Sequence, residues 1–429
     1  MKNNVGWLGK YFICDGLDYS SFIKDFKSNV SNFINEKDVY YERLYGYSDS
    51  LLFFPKKNIT KYDKSILLVS HELSRTGAPV VTLDTAKVLT RNGYFVTVIS
   101  LSEGPLLEEF LDVGVPVIIM PDLKRIQYLK NDSFQFFSKM DLDVFVNNFD
   151  FTIMVTATLF NFVRRYFNLE KKIIWWIHEG SVSYEFLDSF MPKYITPNIK
   201  VICGGEYAVK QLKQHGYHYY PTVLNYGVFD DSKLYKKKTR NDNKIRFLLA
   251  GSVGLRKGQL SLLDAIKELP SKYKELAEFV FVGEPCEGDV MGIRIMSDIK
   301  NFSLKNKCVK FYKNIVREKL YELYETIDVL VLASLDDPMP VVATENFMLS
   351  NICLCSSNTG TSYYIEDGIN GFVFEAGNYK KLLEKIIYIV DNRDKLNDIR
   401  KRGRKIFDDY FDMKVFEKNI IKLIEEKLL

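Results

Sequence analysis

Apolar residues in this chain fall into short unbroken runs separated by stretches of helical spacing, an alternation that predicts strands buried on both faces, each followed by an amphipathic helix. Ile66–Ser70 opens the series. The loop HELSRTGAP follows, then a helix in which Val81, Leu83, Ala86 and Leu89 alternate with polar positions and which stops at Asn92-Gly93. Further strands are expected at Tyr94–Leu101, Val115–Met120, Phe151–Thr156, Lys171–Ile177, Val201–Gly204 and Tyr220–Tyr226. A second series begins at Ile245–Ala250, whose loop GSVGLRKGQ leads into a helix over Leu260–Leu269 with Leu262, Leu263 and Ile266 on one face. Strands at Glu278–Gly283, Val309–Tyr312, Asp328–Ala333 and Ile352–Ser356 follow, with helices over Glu318–Thr326, Lys380–Val390 and Leu396–Lys422. Repeated strand–helix units of this kind build doubly wound parallel sheets, so the pattern predicts α/β domains of Rossmann type.

The 429 residues exceed one ordinary core and suit two domains of about 150–200 residues each. The pattern divides the chain into an extension over 1–64, a first Rossmann-like domain over 65–228, a second over 229–410, and a final helix over 411–429 that crosses back onto the first. Within the extension Phe22, Phe26, Val30 and Phe33 recur at helical spacing behind Ser20 and Ser21, which predicts one amphipathic helix docked on the first domain. Asp230–Lys244 is polar and charged and reads as a solvated linker.

Composition narrows the class. An apolar share of 47% supports large cores, and the longest apolar runs fall far short of the ~20 residues that span a bilayer. The opening MKNNVGWLGK holds no apolar stretch of secretion-signal length, which predicts a cytoplasmic protein. Cys14, Cys203, Cys286, Cys308, Cys353 and Cys355 show no metal-type spacing and fit reduced thiols. A net charge of +4 is too small to point to nucleic acid.

Candidate chemistry gathers in the stretch Asp328–Glu345, DVLVLASLDDPMPVVATE, which reads as strand, sharp loop and helix, with Pro340 where the helix starts. Asp337 then lies at the mouth of that helix. Glu345 has Val341, Val342 and Met348 at i−4, i−3 and i+3, so its carboxylate sits on an apolar face and needs a partner. Arg256 and Lys257 precede a helix N-terminus, where cations face the positive end of the dipole unless an anion sits among them. A diphosphate is such an anion. Lys171–Ile177 ends in His178-Glu179, at the kind of strand end where ligands sit, and Gly77 in the first strand–helix loop lets backbone approach a ligand. GSVGLRKGQ fits neither a dinucleotide fingerprint nor a P-loop. The pair Asp141 and Asp143 has the spacing of a metal-binding DxD motif, and equally that of a loop cap.

The run from Ser334 to Glu345 resembles the Ser-x-x-Glu-Gly-Phe-Pro-x-x-x-x-Glu signature of family 4 retaining glycosyltransferases with the GT-B fold. Asp337 replaces the first Glu and Pro338 the Gly. Arg256-Lys257-Gly258 resembles the family's phosphate-binding pair, Asn225-Tyr226-Gly227-Val228 its domain crossing, and NTGTSYYIEDGINGFVF its Gly-Gly-x-x-Glu loop, with Tyr363 where that Glu usually stands. The resemblance covers residues 66–420. It implies two Rossmann-like domains facing a cleft, a nucleotide-diphosphate sugar as donor, and a metal-independent reaction. It makes Asp337, His178 and Glu345 the catalytic set: Asp337 on the donor sugar, Glu345 on the ribose, His178 with Glu179 on the acceptor side. Arg256, Lys257, Gly77 and Met339 are implied at the diphosphate, and Asn314 at the base. The acceptor implied is a glycan, free, lipid-linked or protein-linked, as in bacterial surface polysaccharide synthesis. Arg164, Arg165, Lys171 and Lys172 around Tyr166 and Phe167 form either a solvated basic face or a candidate membrane contact, and Trp175 and Trp176 a candidate sugar platform or core. A non-catalytic sugar-nucleotide-binding subunit is the alternative.

Overall fold

The computed structural model describes residues 12–13, 16–17, 41–43, 50–55, 64–129, 141–238, 240, 242–313 and 315–428. Apart from a two-stranded antiparallel pair at Phe12–Ile13 and Gly16–Leu17, two sheets organise them. The first contains Tyr41–Arg43 (β1), Leu51–Phe53 (β2), Lys64–Ser70 (β3), Tyr94–Ser100 (β4), Val117–Ile119 (β5), Phe151–Val155 (β6), Ile173–Ile177 (β7), Ile199–Cys203 (β8) and Thr222–Val223 (β9). These nine strands lie in the order β9-β8-β7-β6-β3-β4-β5-β2-β1. The second contains Ile245–Ala250 (β10), Ala277–Val282 (β11), Val309–Tyr312 (β12), Val329–Leu332 (β13), Ile352–Ser356 (β14) and Phe372–Phe374 (β15), six strands in the order β12-β11-β10-β13-β14-β15.

All neighbours in the second sheet are parallel. In the first sheet only the edge departs, where β2 runs antiparallel to β5 and β1 antiparallel to β2. Strands such as β6 and β7 are buried at every position, because helices cover both faces of a doubly wound sheet. In each sheet the chain winds outward in both directions from its first parallel strand. The order therefore reverses between β3 and β6 in one domain and between β10 and β13 in the other, the places where ligands bind in such sheets. Two doubly wound domains facing a cleft are the GT-B arrangement.

The helices used below are Gly77–Arg91 (α1), Ser181–Leu187 (α2), Glu206–Gln214 (α3), Gln259–Glu268 (α4), Val290–Lys305 (α5), Arg317–Tyr324 (α6), Val341–Met348 (α7), Tyr379–Asp391 (α8), Leu396–Ile406 (α9) and Met413–Leu428 (α10). The single helix expected over Leu396–Lys422 is instead two, separated by a π turn at Phe407–Phe411 and an extended Asp412. The break is where the chain crosses back. Val228 N–H donates to the Phe411 carbonyl at 2.8 Å, and Met413 N–H donates to the Val228 carbonyl at 3.0 Å, so the outward and returning crossings are tied together. Beyond the crossing Phe416 stacks on Trp176 with ring centres 5.9 Å apart, and Glu417 pairs with Arg91 of α1. A single apolar core runs through this junction from Trp176 and Ile202 to Leu248, Leu330 and Phe411.

The amphipathic helix expected around Phe22–Phe33 lies outside the described residues; β1 and β2 attach the later part of the extension to the sheet edge. The segment Asp230–Lys244 is largely exposed at its described positions, as a solvated linker should be, but it is tied to the second domain. Arg240 pairs with Asp328, Lys237 Nζ donates to Asn351 Oδ1 at 2.7 Å, and Lys238 pairs with Glu325. Trp175 and Trp176 are fully buried, so of the two readings core holds. The basic patch is drawn inward: Arg165 Nε donates to Asp143 Oδ1 at 2.6 Å, Arg164 to the Phe190 carbonyl, Lys171 Nζ to the Phe149 carbonyl at 3.3 Å, and Tyr166 is buried. Asp143, the second acid of the DxD spacing, accepts from Arg165 and from the Tyr166 hydroxyl at 2.9 Å. No helix among the described residues is long and apolar enough to cross a membrane.

Candidate functional site

The loops after β10 and β13 flank the switch point of the second sheet and bring together residues eighty positions apart. After β10 the chain coils through a 3-10 turn at Leu255–Lys257, and Gly258, at φ +71°, turns it into α4. That φ lies in the left-handed region, and a Cβ at Gly258 would also strike the Ala333 carbonyl, so glycine is required here on both counts. The turn is thereby pressed against the end of β13, with Arg256 and Lys257 facing the loop Ser334–Pro340.

That loop is held from behind by the segment after β14. Asp337 N–H donates to the Asn358 carbonyl at 3.1 Å, and Gly360 N–H donates to the Asp337 carbonyl at 2.8 Å. Pro340 occupies the position before α7 rather than its first turn, with Asp337 three residues further out. Lys257 Nζ lies 2.6 Å from Asp337 Oδ2 and Arg256 Nη1 3.9 Å from the same oxygen, while Arg256 Nη1 donates to the Asp336 carbonyl at 2.7 Å. The anion expected among these cations is thus supplied in part by the chain itself. One carboxylate against two cations leaves the corner positive, and Arg256, at 43% side-chain exposure, faces outward.

Glu345 is buried on α7 and accepts from the Tyr321 hydroxyl of α6 at 3.2 Å, the partner its apolar face required. Against Tyr321 lies a cavity of about 250 Å³ between the domains, lined by Tyr321, Tyr235 and Val341 on one side, by Val80, Asp84 and Lys87 of α1 on the other, and by Tyr226 at the crossing. Asn314, expected near the base, lies outside the described residues.

On the first domain's side His178 follows β7. Its Nε2 has no partner among the described residues, and burial, then the neighbouring His71, pull its imidazole down to about 3. The ring is neutral at ordinary pH. His71, at the end of β3, likewise has an unpartnered Nδ1. Glu179 does not present its carboxylate to the cleft in the way the strand-end position implied: it accepts from the Ala157 and His178 N–H groups, both at 2.8 Å, and anchors the loop after β6. Burial pushes it up to about 7, against the downward pull of those N–H groups. Gly77 starts α1 with open space around it, since a Cβ there would meet nothing within 4 Å. Met339 closes on the other wall, its Cε 2.8 Å from where a Cβ of Gly205 would lie, and its carbonyl accepts from the Tyr226 hydroxyl at 3.3 Å.

The structure therefore joins Arg256, Lys257 and Asp337 directly, sets Glu345 against α6, and keeps His178 and Gly77 on the opposite domain. Sequence reasoning passed over Tyr321, His71 and Asp336. The acid doublet Asp336-Asp337 was a visible signal for the last; Tyr321 and His71 carried none beyond helix and strand-end position.

Residues 62–192 match the family described as glycosyl-transferase family 4, and residues 230–406 the family described as glycosyl transferases group 1. An uncharacterised glycosyltransferase of Methanocaldococcus jannaschii is 23% identical over 238 residues, which are 54% of this chain and 62% of that protein, so less than two thirds of the relative is spanned. Anabaena HepE, solved with UDP-glucose, superposes with a TM-score of 0.67 at 16% identity over 85% of this chain and 100% of its own. The sucrose-phosphate synthase of Thermosynechococcus elongatus gives 0.66 at 17% identity, covering 85% of this chain and 99% of its own.

Proposed function

The chain belongs to the GT-B glycosyltransferases of the group 1 and family 4 type, and on that premise we propose that it transfers a sugar, with retention at the anomeric carbon, from a nucleotide-diphosphate sugar to a glycan acceptor. The acceptor is a growing glycan, free or carried on a lipid or protein, on the cytoplasmic side of a bacterial surface-polysaccharide or glycoconjugate assembly. The observation that carries the reading is the meeting of Arg256 and Lys257 with Asp337 at the second sheet's switch point.

As the bond from the anomeric carbon to the diphosphate breaks, negative charge grows on the leaving diphosphate, and Arg256 and Lys257 stabilise it. Gly77 at the start of α1 and the backbone around Met339 complete the diphosphate's surroundings. Lys257 then exchanges Asp337 for phosphate, which frees that carboxylate for the donor sugar's hydroxyls. Glu345 takes the ribose hydroxyls, with the nucleoside in the cavity beside Tyr321, and Asn314 takes the base, as the family resemblance implies. On the facing domain the neutral His178 ring offers Nε2 to the reacting sugar or the acceptor hydroxyl, and Glu179 positions it through its backbone. Closure of the domains keeps water from the donor.

HepE was solved with UDP-glucose, so UDP-sugars head the panel, followed by GDP- and dTDP-sugars. Incubation of each with the protein and oligosaccharide acceptors, followed by proton NMR of the product's anomeric coupling, is expected to show one donor consumed and its configuration kept. An inverted product contradicts retention. A donor that binds but is consumed neither by acceptors nor by water favours the sugar-nucleotide-binding subunit instead.

A further inference from the structure

Asp336 stands next to the donor-site acid yet faces away from it. The residue is 4% exposed and its side chain crosses to the first domain, where Oδ1 accepts from the Ser181 N–H at 3.0 Å and from the Tyr207 hydroxyl at 2.6 Å, and Oδ2 accepts from the Val182 N–H at 3.0 Å. The three donors come from the start of α2, behind β7, and from α3, behind β8. Space has been cleared for the contact: a Cβ on Gly180 would overlap both carboxylate oxygens. From the same residue the backbone carbonyl accepts from Arg256, and the next side chain, Asp337, holds Lys257. One dipeptide therefore grips the opposite domain with a side chain and the diphosphate cations with its carbonyl and its neighbour.

We propose that Asp336 is an interdomain clasp that makes closure of the cleft and alignment of Arg256 and Asp337 a single event. It is a positioning residue, acting on the donor through its neighbours. The physical basis is that a buried carboxylate needs donors, and those it has lie on the other domain. When the domains part, the carboxylate returns to water and the loop Ser334–Pro340 loses this outer anchor, keeping its bonds within the second domain, among them Leu335 N–H to the Arg256 carbonyl, the Arg256 side chain to the Asp336 carbonyl, and the bonds to Asn358 and Gly360 from behind. A donor that binds the aligned loop then favours the closed arrangement, and its apparent affinity falls with the fraction of closed molecules. The effect on transfer rests on the donor-site reading above; the clasp itself does not.

The test separates the two. Interdomain distances measured by pulsed electron resonance between one spin label on each domain, with amide exchange at Ser181 and Val182, are compared for the full-length parent, Asp336→Asn, Asp336→Ala and Tyr207→Phe. Asn keeps the volume but replaces one acceptor oxygen with a donor, so it separates charge from packing. The expected result is a shift to longer distances with at least tenfold faster exchange at both amides in the Asp336 variants, a smaller change in Tyr207→Phe, and unchanged protection in β7 and β8. For the donor found to be consumed, kcat/KM is expected to drop about tenfold through KM, with a larger share of hydrolysis. Unchanged distances and exchange in Asp336→Asn and Asp336→Ala overturn the clasp whatever the kinetics. Opened domains with an unchanged KM and hydrolysis share overturn the positioning role. A parent that consumes no donor but opens in these variants keeps the clasp and removes the transferase reading.

Discussion

Arg256, Lys257, Asp337 and Glu345 carry the chemistry proposed for the second domain, and three of them have an expected loss that kinetics or binding can read. Arg256→Ala and Lys257→Ala each remove one charged stabiliser of the leaving diphosphate, a change that costs about 3–4 kcal/mol in an enclosed site, or about 10²–10³ in kcat. Equal turnover in parent and both variants would take them out of the reaction. Glu345→Gln keeps the volume and an acceptor for Tyr321 but loses the charge, so nucleotide affinity is expected to fall by about tenfold while the urea midpoint stays put. His178 supplies a test by pH. Its folded value of about 3 lies below the unfolded 6.5, so the unfolded chain binds a proton the folded one refuses. The stability this group contributes is complete above pH 6.5 and lost as pH falls towards 3, at up to about 1.4 kcal/mol per unit. Glu179 works in the opposite sense: its stabilising share is present below 4.5 and lost as pH rises through about 7. Urea midpoints of parent and His178→Gln are expected to converge between pH 6.5 and 4; parallel curves would contradict the buried neutral ring.

At the level of elements, the apolar runs legible in the sequence became strands within a residue or two, with Ile245–Ala250, Val309–Tyr312 and Ile352–Ser356 recovered whole, except that the run Tyr220–Tyr226 shrank to the two residues Thr222–Val223. Those runs are long because parallel strands are buried on both faces, which is also why their order in the sheet could not be read from them. Helix α5 passed unnoticed, since its apolar positions Val290, Met291 and Ile293 lie exposed beside Ile295 and Ile299 in the core, blurring the helical period. The continuous reading of Leu396–Lys422 failed because a π turn preserves an amphipathic pattern while the chain changes direction. The candidate site was half legible. Local motifs gave Arg256, Lys257, Asp337 and Glu345, but their pairing, Tyr321, and the inward turn of Glu179 depend on contacts between distant loops. The crossing offers its own prediction. A Cβ on Gly227 would lie 2.7 Å from Met413 Cα and from Phe416 Cβ, so Gly227→Ala forces apart the segments that join the domains. Overpacking of this kind costs about 1–3 kcal/mol, and chemical denaturation should register that loss; no loss would mean that the crossing yields freely.

At the scale of the whole molecule, the two sheets present their switch points to one another across a cleft, and the apolar core continues through the paired crossings at Val228 and Asp412. The chemistry proposed for the donor lies in the second domain, where Arg256, Lys257 and Asp337 meet and Glu345 sits against α6, while the first domain contributes two neutral or anchored side chains and an open loop at Gly77. Such an asymmetry suits a donor site of fixed character facing an acceptor site that varies. The central claim is that the switch point of the second sheet is a nucleotide-diphosphate sugar site built on Arg256 and Lys257. Calorimetric titration of the parent and of the Arg256→Ala/Lys257→Ala double variant with UDP, GDP and dTDP and their sugars tests it most directly. The account predicts that the parent binds one nucleotide class and that the double variant loses at least a hundredfold in affinity for it while keeping its fold. A parent that binds none of them, or a double variant that binds as tightly as the parent, would contradict it.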